Sequence, residues 1–175
     1  MRLAIWGQIV HPEWQGITTV SKSLNRVRRV LEEAGVSAAV LEMADGARTA
    51  AEAASAAGCG IDQIAKSIIF RDQTSGEAVL FVTAGGNLVD TEKASAVAGG
   101  ALGKADATLI RAQTGFAIGG VSPIGHLSPI RAWYDPRLLD FDLVYAAAGT
   151  PRHIFPINPR VLMGLVGAHE ADFTA

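Results

Sequence analysis

The run from Thr114 to His126 reads Thr-Gly-Phe-Ala-Ile-Gly-Gly-Val-Ser-Pro-Ile-Gly-His, and it limits the folds open to this chain more than any other stretch. Four glycines and a proline in thirteen residues exclude a helix or strand interior. The apolar residues between them exclude a flexible linker. Glycine has no Cβ and tolerates positive φ, so a loop of this kind can bring backbone N–H groups close to a ligand. The expected ligand is oxygen-rich: a phosphate, a carboxylate or a polarised carbonyl. A plain glycine-rich turn between two elements is the competing reading. The loop is neither a P-loop nor a dinucleotide fingerprint, because G-x-x-x-x-G-K-[ST] and G-x-G-x-x-G are both absent.

Around this loop the chain interleaves helix and strand patterns. Val20, Leu24, Val27, Leu31 and Ala34 share one face of a helix over 19–34 that stops at Gly35. Lys22, Arg26, Arg29 and Glu33 lie off that face, which reads as solvated, with RNA contact as the alternative. Leu3–Trp6 and Val36–Met43 read as strands, and Asp45-Gly46 as a turn. Thr49 and Glu52 form a capping box that opens an alanine-rich helix ending at Gly58. A helical turn is expected over Asp62–Ala65. Ser67–Phe70 and Ala78–Val82 read as a hairpin. Asp90 caps a helix over Thr91–Ala98, and Thr108–Ile110 reads as a short strand. Ile130–Tyr134, Leu143–Ala147 and His153–Ile157 are further strands, with turns at Pro136–Leu139 and Gly149–Pro151 and a last helix over Pro159–Val166. Short connections and a hairpin predict a mixed α/β sheet or partly closed barrel in one compact domain, rather than a doubly wound parallel sheet. Residues 1–44 are expected to form a helix-strand segment packed on a core spanning 45–175.

The 175 residues suffice for a real core. A net charge of −2 argues against wrapping duplex DNA or a long RNA, but leaves room for gripping the end of a nucleic acid. The single cysteine, Cys59, excludes an internal disulfide and a multi-cysteine metal site. His11, His126, His153 and His169 show no zinc-ligand spacing. No apolar run reaches the roughly 20 residues of a membrane span, and Met1–Gln8 lacks a secretory h-region. The expectation is a cytoplasmic enzyme or binding protein with no membrane partner.

Several residues invite chemistry. Lys66 opens an apolar strand and can project a point charge from a sheet end toward a phosphate; an ordinary edge lysine is the alternative. Ser122 and His126, four apart, suggest a serine hydrolase, but no G-x-S-x-G elbow or orienting acid accompanies them. Cys59 has no neighbouring cation or histidine in sequence to activate it. Asp45, Asp62, Asp90 and Asp106 follow no metal-binding pattern, and several read as caps or turn residues.

The order of the motifs is more telling than any one of them. Gln-Ile-Ala-Lys-Ser-Ile-Ile-Phe at 63–70 precedes Ala-Val-Leu-Phe-Val-Thr-Ala-Gly-Gly at 78–86 and Asp-Thr-Glu-Lys-Ala-Ser at 90–95. The glycine loop at 114–126 and Ala-Ala-Gly-Thr-Pro at 147–151 follow. Over residues 45–173 this series resembles the YbaK/ProRS-associated editing family, free-standing aminoacyl-tRNA deacylases related to the editing insertion of bacterial prolyl-tRNA synthetase. The resemblance implies a compact mixed α/β fold that acts on the acceptor end of mischarged tRNA, often tRNA for proline, with no metal, no organic cofactor and prolyl-tRNA synthetase as an associated partner. It matches Lys66 to the family's cleft lysine and Ser67 to a position often occupied by threonine. It matches Gly119, Gly120, Val121, Ser122 and Pro123 to the loop that holds the aminoacyl end, and Gly149, with His153 just beyond, to the turn that closes the pocket. That turn reads Gly-Thr-Pro-Arg-His rather than a Gly-Gly-Lys-Arg type, and the first 44 residues lack the aromatic pattern of cysteine-specific members, so the amino acid removed stays open.

An aminoacyl ester is already activated. Its hydrolysis needs a carbonyl held against backbone donors and a positioned water more than a powerful nucleophile. Lys66, Gly119, Gly120 and Ser122 are therefore the expected catalytic set, with Ser67, Val121, Pro123, Gly149 and His153 lining the substrate. The alternative is a non-catalytic module that binds an aminoacyl or nucleotide end in the same pocket.

Overall fold

The computed structural model describes residues 21–44 and 46–175. The readings at Leu3–Trp6, at the first residues of the opening helix and at the Asp45 turn lie outside them. Among the described residues eight strands form one mixed sheet and five α-helices pack around it: α1 (Lys22–Glu33), β1 (Leu41–Glu42), α2 (Ala50–Ala57), β2 (Ile64–Asp72), β3 (Ala78–Ala84), α3 (Thr91–Ala98), β4 (Leu102–Lys104), α4 (Ala107–Thr114), β5 (Arg131–Tyr134), β6 (Val144–Thr150), β7 (His153–Ile157), α5 (Pro159–Val166) and β8 (His169–Glu170). The strand order is β1-β7-β6-β2-β3-β5-β8, and β4 pairs with β2 outside that path. The β2–β3 and β6–β7 neighbours are antiparallel, whereas β2–β6, β3–β5 and β5–β8 are parallel.

β3 is the spine of the sheet. All seven of its residues are buried, which explains why Ala78–Val82 reads as an unbroken apolar run. Leu80, Val82 and Ala84 enter the main core with Leu24, Val27 and Leu31 of α1, Phe116 and Phe155. Val79 and Phe81 face the other way, into a second cluster with Ala94 and Ala98 of α3 and Phe173. There the Phe81 ring lies 5.1 Å from Trp133 and 4.8 Å from Phe173. A third, smaller cluster joins α2 to Met43, Ile64 and Ile154.

Local chemistry sets the element ends. The Thr49–Glu52 capping box forms in full, and Gly58 ends α2 in the left-handed conformation. Asp90 accepts from the Glu92 and Lys93 N–H groups at the start of α3. The β2–β3 turn is tied by Asp72, which accepts from Thr74 and Ser75 and pairs with Arg131.

Four expectations change. Thr108–Ile110 is helical, not extended: Asp106 caps it by accepting from Leu109 N–H at 2.8 Å, and Gly115 ends it at φ +76°. Of Val36–Met43 only Leu41–Glu42 is strand, paired to the start of β7. Asp62–Ala65 resolves into a 3-10 turn, Ile61–Gln63, running straight into β2. Gly149 and Thr150 finish β6, so the tight turn is Pro151–Arg152. The two short strands β4 and β8 are additions. No described helix is long and apolar enough to cross a membrane.

Candidate active site

β2 builds the site by sharing its outer edge between two partners. One edge pairs with β3 from Ala65 to Arg71. The other pairs with β6 at Ile64 and Ala65, and with β4 from Phe70 to Asp72. Between these two pairings, Lys66 to Ile69 have no strand partner on that edge among the described residues. A cleft of about 510 Å³ opens over this gap. Lys66, Ser67, Ile68 and Ile69 form its floor, Lys104, Ala105 and Ile110 one wall, and Tyr145 and Ala147 the opposite wall. The glycine loop adds Ile118, Gly119 and Val121, and the β6–β7 turn adds Thr150, Pro151 and His153. Arg48 and Thr49, at the start of α2, complete the rim.

Lys66 is half-buried, and its Nζ donates to the Asn87 carbonyl at 2.7 Å. Partial burial pulls its pKa below the ordinary lysine value, against the opposing charges of Asp135 and Asp62. Both carboxylates fix the turn that carries Asn87. Asp135 is buried and accepts from Thr83 Oγ1, Ala84 N–H and Asn87 Nδ2 through one oxygen, and from Arg137 N–H through the other. Asp62 accepts from Gly86 N–H and pairs with Arg137. This polar network had no signal in the sequence beyond the presence of acidic residues near turns.

The glycine loop splits into a lining part and a supporting part. Gly119 faces the cleft at φ +92°. Gly120 packs against the β6–β7 turn, where a Cβ would come within 2.6 Å of the Thr150 carbonyl carbon and 2.9 Å of Pro151 N. Its N–H donates to the Ala117 carbonyl at 3.1 Å. Gly119 and Val121 N–H have no hydrogen-bond partner among the described residues. Ser122 and Pro123 are buried and lie outside the cleft lining. Ser122 Oγ accepts from Ile124 N–H at 3.4 Å, and His126 Nε2 meets the Ser122 carbonyl, not its hydroxyl, at 2.7 Å. Burial lowers the His126 pKa, so the ring is neutral near pH 7. Gly149 stands behind the cleft: a Cβ there would meet the Phe116 ring and the Ser23 carbonyl, each at 2.9 Å.

Two more polar groups face the cavity. Thr150 Oγ1 and His153 Nδ1 lie 2.6 Å apart. Partial burial lowers the His153 pKa, with Glu42 opposing and Arg28 and Arg152 assisting. Ser67 Oγ is buried with no hydrogen-bond partner among the described residues. A buried hydroxyl left unpaired is costly, and a ligand that bonds it recovers that cost. Cys59 packs beside the α2 cluster away from the cleft, and burial raises its pKa. Among the described residues no three His, Cys, Asp or Glu side chains are placed to hold a metal. Of the residues the sequence singles out, Lys66, Ser67, Gly119, Val121 and His153 line the cleft, whereas Gly120, Ser122, Pro123 and Gly149 do not. Arg48, Lys104, Tyr145 and Thr150, from distant segments, line it without a signal in the sequence.

The chain belongs to the aminoacyl-tRNA editing domain family, whose model matches residues 44–165. A solved structure assigned as a candidate trans-editing enzyme for prolyl tRNA synthetase is 43% identical, with a TM-score of 0.82 over 90% of this chain and 99% of that one. The hypothetical protein APE2540 is 28% identical, with a TM-score of 0.78 over 86% of this chain and 99% of its own. The uncharacterized protein YwhH of Bacillus subtilis (strain 168) is 29% identical over 123 residues, covering 70% of this chain and 78% of that protein.

Proposed function

We propose that this protein is a free-standing hydrolase that removes a small non-cognate amino acid from mischarged tRNA, in first place tRNA for proline. The reading rests on one arrangement: Lys66, Ser67, Gly119 and Val121 line one cleft open at its rim, the Ser67 hydroxyl is unpaired, and the Lys66 ammonium, held by the Asn87 carbonyl, swings to the rim when a phosphate arrives. The 3′-terminal nucleotide lies across the rim, where Lys66, Arg48 and Lys104 supply positive charge to its phosphate. The ester carbonyl lies against the N–H groups of Gly119 and Val121; Gly120 N–H is spent inside the loop and shapes it instead. Preorganised donors of this kind are worth about 2.7–4 kcal/mol each on the developing oxyanion. A water attacks the carbonyl carbon, the carbon–oxygen bond to the ribose breaks, and the ribose oxygen takes the proton. Ser122 shapes the loop rather than attacking, since its hydroxyl is turned away from the cleft. Ser67 accepts or donates at the aminoacyl group, and Ile64, Ala147 and Ile154 limit its size.

The test is deacylation of a panel of tRNAs for proline charged with alanine, cysteine, serine, threonine and proline. Turnover of a small non-cognate ester, with the prolyl ester spared, supports the proposal. Tight binding of every ester with no turnover would instead assign a sensing module. The supporting partner is prolyl-tRNA synthetase, and the place of work is the cytoplasm, where that tRNA is charged.

A further inference from the structure

The glycine loop is held shut from outside the segment that defines the family. Its two ends, Thr114 and Gly125, both present carbonyls to Arg26 on α1: Nε donates to Gly125 at 3.0 Å and a terminal nitrogen donates to Thr114 at 3.4 Å. The guanidinium also stacks on Phe116, 4.7 Å from its ring centroid. Ser23, one turn earlier, donates to the Gly115 carbonyl at 3.5 Å. The helix carrying them is itself anchored, because Leu24, Val27 and Leu31 are buried in the main core. Gly149, by lacking a Cβ, lets the Ser23 carbonyl come down onto β6. Arg26 is therefore not part of a solvated face. Only a planar fork of donors reaches two carbonyls eleven residues apart in a fixed geometry; a lysine presents a single point.

We infer that Arg26 is a positioning residue for the site, closing the stem of the 114–125 loop so that the Gly119 and Val121 backbone stays aimed into the cleft. The kinetic part of this inference rests on the deacylase reading; the structural part does not. The experiment compares parent, Arg26→Met and Arg26→Ala by amide hydrogen exchange and by single-turnover deacylation. Met keeps the stem over Phe116 and removes the fork. Exchange across 115–127 is expected to rise about tenfold or more in Arg26→Met, the scale of one lost charged hydrogen bond, with β2 and β3 unchanged. Free guanidinium ion, below denaturing concentration, is expected to slow that exchange again in Arg26→Ala. The rate at saturating substrate falls while KM moves little, the sign of lost aim rather than lost binding. Parental exchange in the loop of folded Arg26→Met overturns the inference. So does a rise spread evenly over the chain, which would make Arg26 a general stabiliser. If Arg26→Met does not fold, Arg26→Lys carries the same measurements, since it keeps charge and stem. A parent that turns over no mischarged tRNA defeats the deacylase reading alone, and the exchange arm still decides the role of Arg26.

Discussion

Replacing Gly120 by alanine adds one methyl group at a point where the chain has no room. The new Cβ would lie 2.6 Å from the Thr150 carbonyl carbon, 2.7 Å from its Cα and 2.9 Å from Pro151 N. Carbon atoms prefer about 3.5–4.0 Å, so the loop and the β6–β7 turn must separate by about 1 Å. All three obstacles are backbone and cannot swing aside like a side-chain tip. Overpacking of this kind costs about 1–3 kcal/mol, which in a chain of this size lowers Tm by roughly 2–12 °C. On the mechanism proposed, the same separation moves the Gly119 and Val121 N–H groups away from the ester carbonyl of a substrate whose phosphate Lys66 holds. A misplacement of about 1 Å can cost roughly a hundredfold in rate. Gly164→Ala, in mid-α5 with nothing within 4 Å of the new Cβ, is the control and should add about 0.4–1 kcal/mol of stability. Ser122→Ala should stay within a few-fold of the parent, since its hydroxyl serves only the loop's own turn. The assay is single-turnover hydrolysis of one mischarged tRNA, with thermal melting on the same samples. A folded Gly120→Ala with parental rate and Tm, beside an inactive Ser122→Ala, would refute the backbone-positioned mechanism and restore a serine nucleophile.

Lys66→Ala should keep its fold and lose about tenfold to a hundredfold in deacylation, the value of one charge-assisted hydrogen bond of about 1.5–3 kcal/mol; parental activity would remove Lys66 from the site. Because burial holds the Lys66 pKa below the ordinary lysine value, activity should decline on the alkaline side earlier than a free lysine would dictate, and Lys66→Arg should move that limb upward in a pH–rate profile. Cys59→Ser should retain activity, since burial raises the thiol pKa and the side chain lies off the cleft; inactivation by a thiol reagent that the serine variant escapes would contradict this. Asp72 has its pKa lowered by hydrogen bonds from Thr74 and Ser75 and by Arg131, so its contribution is present above the ordinary carboxylate pKa of about 3.9 and is lost as pH falls through its lower folded value. Asp72→Asn should therefore flatten the acid side of Tm plotted against pH, and an unchanged slope would show that the turn does not depend on the charge.

The readable parts of the sequence were those whose chemistry is local. The capping box at Thr49, the cap at Asp90, the β2–β3 hairpin and α5 follow from residues within one or two turns of one another. α4 was misread because Thr108, Leu109 and Ile110 are a short apolar triplet with two β-branched members, a pattern that periodicity cannot separate from a strand. The cap that decides the matter, Asp106, is read only once the helix is suspected. β4 and β8 are too short for any period to show. The parallel pairing of β2 with β6 joins residues about eighty positions apart, and the cleft exists only because of it. The motif order therefore pointed to Lys66, Ser67 and the loop. Arg48, Lys104, Tyr145 and Thr150 became neighbours only in three dimensions. Arg26 was visible as a basic residue, but its two carbonyl acceptors were not.

The interrupted edge of β2 has a consequence for how such a site can change. The floor is a stretch of backbone locked to β3 along its whole length, so its shape is nearly independent of which side chains surround it. The walls come from separate stretches of chain: the start of α2, the β4–α4 corner, the glycine loop, the body of β6 and the β6–β7 turn. Letting the β4 and β6 ladders each run two residues further along β2 would close the four-residue gap and erase the cavity, while shortening either ladder would widen it. The volume of the pocket is thus written in how far the two ladders reach along β2, and the choice of what fits in the segments that hang over the gap.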